Sequence, residues 1–225
     1  MPSDAPQPSK KRSDEPAPAA GRSTVFRKPA SLGLFALVAV AGVAGDLLSK
    51  HYVFRSLLSD SEATQRLEAV RARLPEDAPP DELLKHAGIS RPAFPGVKFT
   101  LSTNPNVVFG LPLPRVLVLL ATAVAVVLVG AFLLKSEASD RLLHGALGFV
   151  LAGALGNLYD RLFGAVRLPG DAGVIRGQVR DFIDCSDLYY AWVFNVADAL
   201  LVIGVVALLV HSFLAERGRK KDEGV

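Results

Sequence analysis

Apolar and polar positions are unevenly spread along the chain. Four stretches are almost free of charge. Ser31–Leu48 holds one acid, Asp46, and Val116–Leu134 holds no charge. Leu142–Leu162 carries His144, Asn157, Asp160 and Arg161, and Trp192–Leu214 carries Asn195, Asp198 and His211. Each has about the 20 helical residues that cross a hydrocarbon core of about 30 Å. Buried helices of a soluble bundle normally keep a polar face, and Val116–Leu134 has none. The pattern predicts spans over about 31–48, 115–134, 142–162 and 192–214. Between the first two, Leu67, Val70 and Leu74 recur at helical spacing among Arg and Glu, which predicts an amphipathic helix on the membrane surface. Val97–Thr103 reads as a strand. Pro79, Pro80, Pro92 and Pro95 break up the segment before it. The expected fold is an all-α membrane protein of four transmembrane helices, with a small extracytoplasmic β-like element and an amphipathic surface helix.

Composition agrees with this reading. Half of the 225 residues are hydrophobic and 21% are charged, and the mean hydropathy is +0.33. The single Cys, Cys185, excludes an intramolecular disulfide and a multi-cysteine metal site. A net charge of +3 is too weak a bias for a nucleic-acid partner, and no recognition motif supports one. Residues 1–29 are rich in Pro, Ser, Ala and charge and are expected to be a disordered tail. Because that tail precedes it, the first apolar run is not expected to be a cleaved signal peptide.

Basic residues orient the spans. Lys10, Lys11, Arg12, Arg22, Arg27 and Lys28 precede the first, Lys135 and Arg141 flank the link between the second and third, and Arg217, Arg219, Lys220 and Lys221 follow the fourth. Basic residues in short segments favour the cytoplasmic side, so both termini, including a basic tail over 216–225, are expected there. Loops 50–114 and 163–191 then face outward. This direction puts Asp46, Asn157, Asp160, Arg161, Asn195 and Asp198 at the outer ends of three helices. Carboxylates inside a membrane cost about 2.5–3.5 kcal/mol each, so they need partners and commonly mark a site. Asp46, Ser49 and Lys50 share one helix face, as do Asn157, Asp160 and Arg161, and Asn195 and Asp198. Gly145, Gly148, Gly153 and Gly156 thin the third span and allow close packing. Asp46 with Lys50 and Asp160 with Arg161 also suit plain charge neutralisation near the interface. Asp181, in Val179–Ile183, lies close enough in sequence to fold back towards Asp198, although Asp171, Asp184 and Asp187 are also near.

These residues resemble the motifs of a known family, the lipoprotein signal peptidases (signal peptidase II). Asp46-Leu-Leu-Ser-Lys50 is similar to its first-helix motif, and Asn104-Pro-Asn-Val-Val-Phe109-Gly110 to its second box, with Asn106 where the family has Gly. Gly153-Ala-Leu-Gly156-Asn157-Leu-Tyr-Asp160-Arg161, Val179-Arg-Asp181-Phe-Ile183 and Phe194-Asn195-Val-Ala197-Asp198 resemble the remaining three. The five motifs stand in family order over residues 30–215. The first outer loop, the N-terminal tail and the segment around Leu168–Gly177 are longer than the family pattern.

The resemblance implies a four-helix peptidase domain over 30–215 in the bacterial inner membrane, with its site at the outer leaflet. It implies an aspartic endopeptidase that removes the signal peptide from a prolipoprotein, just before a Cys bearing diacylglycerol. Asp181 and Asp198 become the catalytic aspartates. Asp46, Lys50, Asn104, Gly153, Asn157, Arg161, Asn195 and Ala197 map to positions that support or line the site. No cofactor is implied, and the expected partners are lipidated prolipoproteins and membrane lipids, with the enzyme a monomer.

Two close carboxyl groups can share a proton and so supply one acid and one base. Asn157 and Asn195 can orient a carboxylate or hold substrate backbone. Arg161 can steady the loop carrying Asp181 or pair with Asp160. Residues 61–74 and Phe109 suit a lid. Other chemistries fit less well. Ser49 and Lys50 diverge on a helix, the four His show no His-Glu-x-x-His, and Cys185 has no His near in sequence. The main alternative is a proton-coupled transporter, whose acids would spread across the membrane or lie near its midplane.

Overall fold

The computed structural model describes residues 29–105, 114–170 and 172–222. Asn106, Phe109, Asp171 and the tail 1–28 lie outside the described residues, so the second-box departure and the Phe109 lid fall there too.

Four helices are long and apolar enough to cross a membrane: α1 (Pro29–Leu58), α4 (Arg115–Lys135), α5 (Arg141–Phe163) and α6 (Val196–Asp222). Two short helices, α2 (Ser61–Arg71) and α3 (Pro80–Ala87), lie between α1 and α4. The strands are β1 (Ser90–Phe94), β2 (Val97–Asn104), β3 (Ala165–Arg167), β4 (Val174–Arg176), β5 (Val179–Asp184) and β6 (Val193–Phe194). The fold is an all-α membrane protein with a small β element.

The bundle is built around α5, which packs on α1, α6 and α4. Small residues set how closely these helices approach. A Cβ on Gly153 would strike the carbonyl oxygen of Ala197 and lie 2.5 Å from Leu201 Cγ. One on Gly156 would lie 2.5 Å from Asp46 Oδ2. Without hydrocarbon-driven association between spans, such close backbone packing is a main source of cohesion. The outward faces of α4 and α6 expose Leu120, Val124, Val127, Leu128, Val202, Val206 and Leu209, as a lipid-facing surface requires.

The segments between α1 and α4 and between α5 and α6 form a second layer. Strands β1, β2, β5 and β6 make an antiparallel sheet in that order, and β3 and β4 form a separate hairpin. The apolar stripe of α2, with Ala63 and Leu67 buried, packs onto the protein. It joins Phe54 and Leu57 of α1, Leu83 and Leu84 of α3, Leu101 of β2, Val166 and Ile175 of the hairpin, and Phe182 of β5. The long segment between α1 and α4 and the long 168–177 segment thus share one hydrophobic core.

Several boundaries differ from the sequence reading. Helix α1 continues ten residues past Leu48, which keeps Ser49 and Lys50 helical. Pro80 does not break the chain: it is placed at the start of α3, where its missing N–H costs nothing. Trp192–Asn195 are not helical. Val193 and Phe194 pair with β5, and α6 starts at Val196. At its other end α6 runs to Asp222, so Arg217–Lys221 belong to the helix and complement its dipole.

Candidate active site

Asp181 reaches the bundle through strand geometry. Successive side chains of β5 alternate faces, so Phe182 enters the sheet core while Asp181 points the other way. Asp181 pairs in register with Ser102 of β2, and Asn104 pairs with Val179 two residues earlier. That diagonal offset lets the Asn104 side chain bond to the Asp181 carboxylate.

Asp198 is held by its own helix start. Asn195 Oδ1 accepts from the Asp198 N–H at 3.1 Å, and Asp198 Oδ2 accepts from the Asn195 N–H at 3.2 Å. This reciprocal pair is a capping box, satisfying two N–H groups that a helix start leaves open.

Two asparagines then tie the acids to each other. Asn195 Nδ2 donates to Asp181 Oδ1 at 2.6 Å and to Asn157 Oδ1 at 3.2 Å. Asn157 Nδ2 donates to Asp198 Oδ1 at 2.8 Å. Asp198 therefore receives the Asn157 amide and Asp181 the amides of Asn195 and Asn104, and Asn195 and Asn157 are linked. Asn195 is fully buried, Asp181 is 4% exposed, and Asp198 is only partly buried.

A buried charge cluster supports this frame from below. Lys50 Nζ lies 2.7 Å from Asp46 Oδ2, 3.1 Å from Asn157 Oδ1 and 3.1 Å from Asp160 Oδ2. Two of its N–H groups are hydrogen-bonded and Asp160 adds an ion pair, in a place where an unpaired ammonium would be very costly. The other oxygen of Asp46 accepts from the Ala197 N–H at 2.9 Å, another open donor at the start of α6. Gly156 leaves room for that carboxylate, and Gly153 lets Ala197 approach α5.

Asp160 is claimed by Arg180. The guanidinium reaches Asp160 Oδ1 at 2.9 Å from Nε and 2.6 Å from Nη2, and the Arg180 N–H reaches Oδ2 at 3.1 Å. This clamp fixes the strand residue next to Asp181. Arg161 Nη1 donates to the Asn157 carbonyl at 3.3 Å, and its charge lies in range of Asp181, Asp198 and Asp160.

All ten candidate residues therefore surround one end of α1, α5 and α6, capped by β2 and β5. Asp187 lies apart, exposed and paired with Lys98 at 3.1 Å. Asp184 binds Thr100 and the Ser186 N–H. Sequence reasoning missed the Arg180–Asp160 clamp. Its only local signal was a basic residue beside Asp181, because the partner acid lies 20 positions earlier.

Burial pushes the Asp181 carboxyl up to about 7, and the nearby Asp198 adds to the shift against the pull of Asn195, Lys50 and Asn104. A carboxyl poised near neutrality beside a second one can give and take a proton at physiological pH.

Residues 38–214 match the family model described as signal peptidase (SPase) II. A lipoprotein signal peptidase of Aquifex aeolicus is 37% identical over 132 residues, covering 56% of this chain and 72% of that protein. One from Rhodopirellula baltica is 33% identical over 203 residues, covering 88% and 79%. A solved bacterial membrane enzyme shares the fold with a TM-score of 0.59 at 23% identity, over 86% of this chain and 95% of the other.

Proposed function

The chain belongs to the signal peptidase II family, and from that premise we propose that Asp181 and Asp198 are its catalytic pair. It is a multi-pass membrane protein and an aspartic endopeptidase that cleaves the signal peptide from prolipoproteins.

Asp181, raised to about 7, holds the shared proton at neutral pH and below. Asp198 takes a proton from water as the oxygen attacks the scissile carbonyl carbon. Asp181 gives its proton to the carbonyl oxygen, which leaves a gem-diol. Asp198 then protonates the departing nitrogen, the C–N bond breaks, and Asp181 recovers a proton from one diol hydroxyl. Both carboxyls return to their starting states. Asn195 and Asn157 hold the two acids in register, and Arg161 offsets negative charge on the pair. Lys50, Asp46 and Ala197 fix the helix starts that carry them, while Asn104 and Gly153 hold the strand and the helix contact.

Residues 30–215 form the peptidase domain, with 1–29 and 216–225 as cytoplasmic tails. The site sits at the outer leaflet, where water arrives from one side and a lipid-bearing chain from the other. The Cys next to the cut carries diacylglycerol, whose acyl chains lie along the apolar helix faces, and the enzyme works as a monomer. The observation that carries the reading is the Asn195 bridge, bonded to Asp181 through its side chain and to Asp198 through its backbone. The test is incubation of the purified chain with a prolipoprotein before and after diacylglyceryl transfer. Cleavage only of the modified form, at the bond preceding its Cys, supports the reading. Equal cleavage of both forms, or of neither, contradicts it.

A further inference from the structure

The Arg180–Asp160 clamp has a second, outward-facing side. A cleft of about 270 Å³ opens between the outer ends of α1 and α5, lined by Leu47, His51, Tyr159, Phe163, Gly164, Ala165 and Arg180. Three of these residues bring hydrogen-bond donors that the protein does not use. Arg180 spends Nε and Nη2 on Asp160 and is 12% exposed, while its Nη1 has no partner among the described residues. Among the described residues, His51 makes a ring contact with Tyr52 and no hydrogen bond, and Tyr159 a ring contact with Phe163 and no side-chain hydrogen bond. A second guanidinium belongs to the hairpin beside the cleft. Arg176 is exposed on β4 and is the cross-strand partner of Ala165, which lines the cleft, so both lie on one face of the hairpin.

Charge bookkeeping favours an anion. Asp46 and Asp160 are already balanced by Lys50 and Arg180 inside the bundle. Arg176 stands outside that balance. The cleft opens beside the lipid-exposed Leu48, Tyr52, Leu162 and Phe163. Guanidinium, imidazole and phenol donors converging at a membrane interface match a phosphate, which accepts charge-assisted bonds on several oxygens.

We propose that this cleft binds a phosphate ester, as carried by a phospholipid headgroup, with the acyl chains along α1 and α5. The site is distinct from the carboxyl pair, and diacylglycerol on a substrate Cys has no phosphate to fill it. Ala165 of the β3–β4 hairpin lines the cleft, and its cross-strand partner is Arg176.

The test uses the full chain, purified in phospholipid-free maltoside micelles and titrated with dioctanoyl phosphatidylglycerol, with bound lipid counted by native mass spectrometry. The expected result is one lipid retained per chain, with dioctanoyl glycerol not retained. His51→Ala with Arg176→Ala weakens retention about tenfold, while Tyr159→Phe, which removes a single hydroxyl, weakens it about threefold. Thermal unfolding in the same micelles checks that the variants fold. Competition by inorganic phosphate makes the free anion sufficient, whereas its failure to compete assigns binding to the lipid headgroup. Equal retention by the folded variants, equal retention of dioctanoyl glycerol, or no retained phospholipid overturns the proposal.

Discussion

Asn195 and Asp198 cap one helix start in both directions, each side chain accepting the other's backbone N–H at 3.1 and 3.2 Å. The arrangement ties the proposed chemistry to folding, because the carboxylate proposed to take a proton from water also holds the first turn of α6. Asn195 in turn bonds Asp181 at 2.6 Å. One amide thus couples a strand of the four-stranded sheet to a membrane helix.

The position of the Asp181 proton sets the pH dependence. Its carboxyl is raised from the ordinary 3.8 to about 7, so the proton is held below that value and lost above it. kcat/KM should fall as pH rises through about 7. The stability contributed by the held proton should be complete at acidic pH and fade as pH climbs towards 7. The carbonyl band of a protonated carboxyl, followed by infrared spectroscopy, should disappear over the same range and be absent in Asp181→Asn. In Asp198→Asn its midpoint should move down but stop short of an ordinary Asp, since burial is the larger cause. A midpoint unchanged by Asp198→Asn would show that the two carboxyls do not interact.

Removing the buried ammonium should be severe. Lys50→Met leaves Asp46 and Asp160 without a shared cation, a loss of about 3–5 kcal/mol for a broken buried pair. Denaturant unfolding in mixed micelles should show it, together with reduced cleavage. Lys50→Met with Asp46→Asn should recover part of the stability, because one stranded charge is gone. No recovery would contradict the pairing.

Helix proximity can be tested with a single methyl group. Gly153→Ala meets the Ala197 carbonyl and Leu201, and overpacking of this kind costs about 1–3 kcal/mol. Gly145→Ala on the same helix meets nothing within 4 Å. The first should lower both the unfolding midpoint and the cleavage rate, and the second neither. Equal losses would contradict the contact, because Ala is the better helix former and propensity alone favours both variants.

Orientation is open to labelling. In a Cys185→Ser background, Ser61→Cys should react with a membrane-impermeant thiol reagent in intact cells, and Ser9→Cys only after lysis. The opposite pattern would put the carboxyl pair on the cytoplasmic side, away from the outer-leaflet site proposed for it.

What was legible in the sequence follows from the range of each interaction. The four spans show because every residue of a lipid-facing helix carries the same apolar signal. The α1 and α5 polar faces show because their spacing is that of one helix turn. The capping box was visible as Asn195 and Asp198 three apart, but its role depended on knowing that α6 starts at Val196. Helix α3 stayed hidden because Pro80 reads as a breaker unless its position at a helix start is known. The β3–β4 hairpin has three residues per strand, too few for an alternation pattern. Arg180 and Asp160, and the core shared by the two long outer loops, are contacts between distant segments that no local periodicity encodes.

The central claim is that cleavage requires both carboxyl groups of Asp181 and Asp198. The direct measurement is the rate at which purified Asp181→Asn, Asp198→Asn and Asp187→Asn release signal peptide from a diacylglyceryl prolipoprotein, with folding checked by thermal unfolding. The first two should remain folded and lose cleavage by at least about two orders of magnitude, the scale of one general acid or base. Asp187→Asn, whose carboxylate only pairs with Lys98 at the surface, should cleave at a rate close to the parent. Substantial cleavage by either Asp181→Asn or Asp198→Asn, or an inactive but folded Asp187→Asn beside an active Asp181→Asn, would contradict the account.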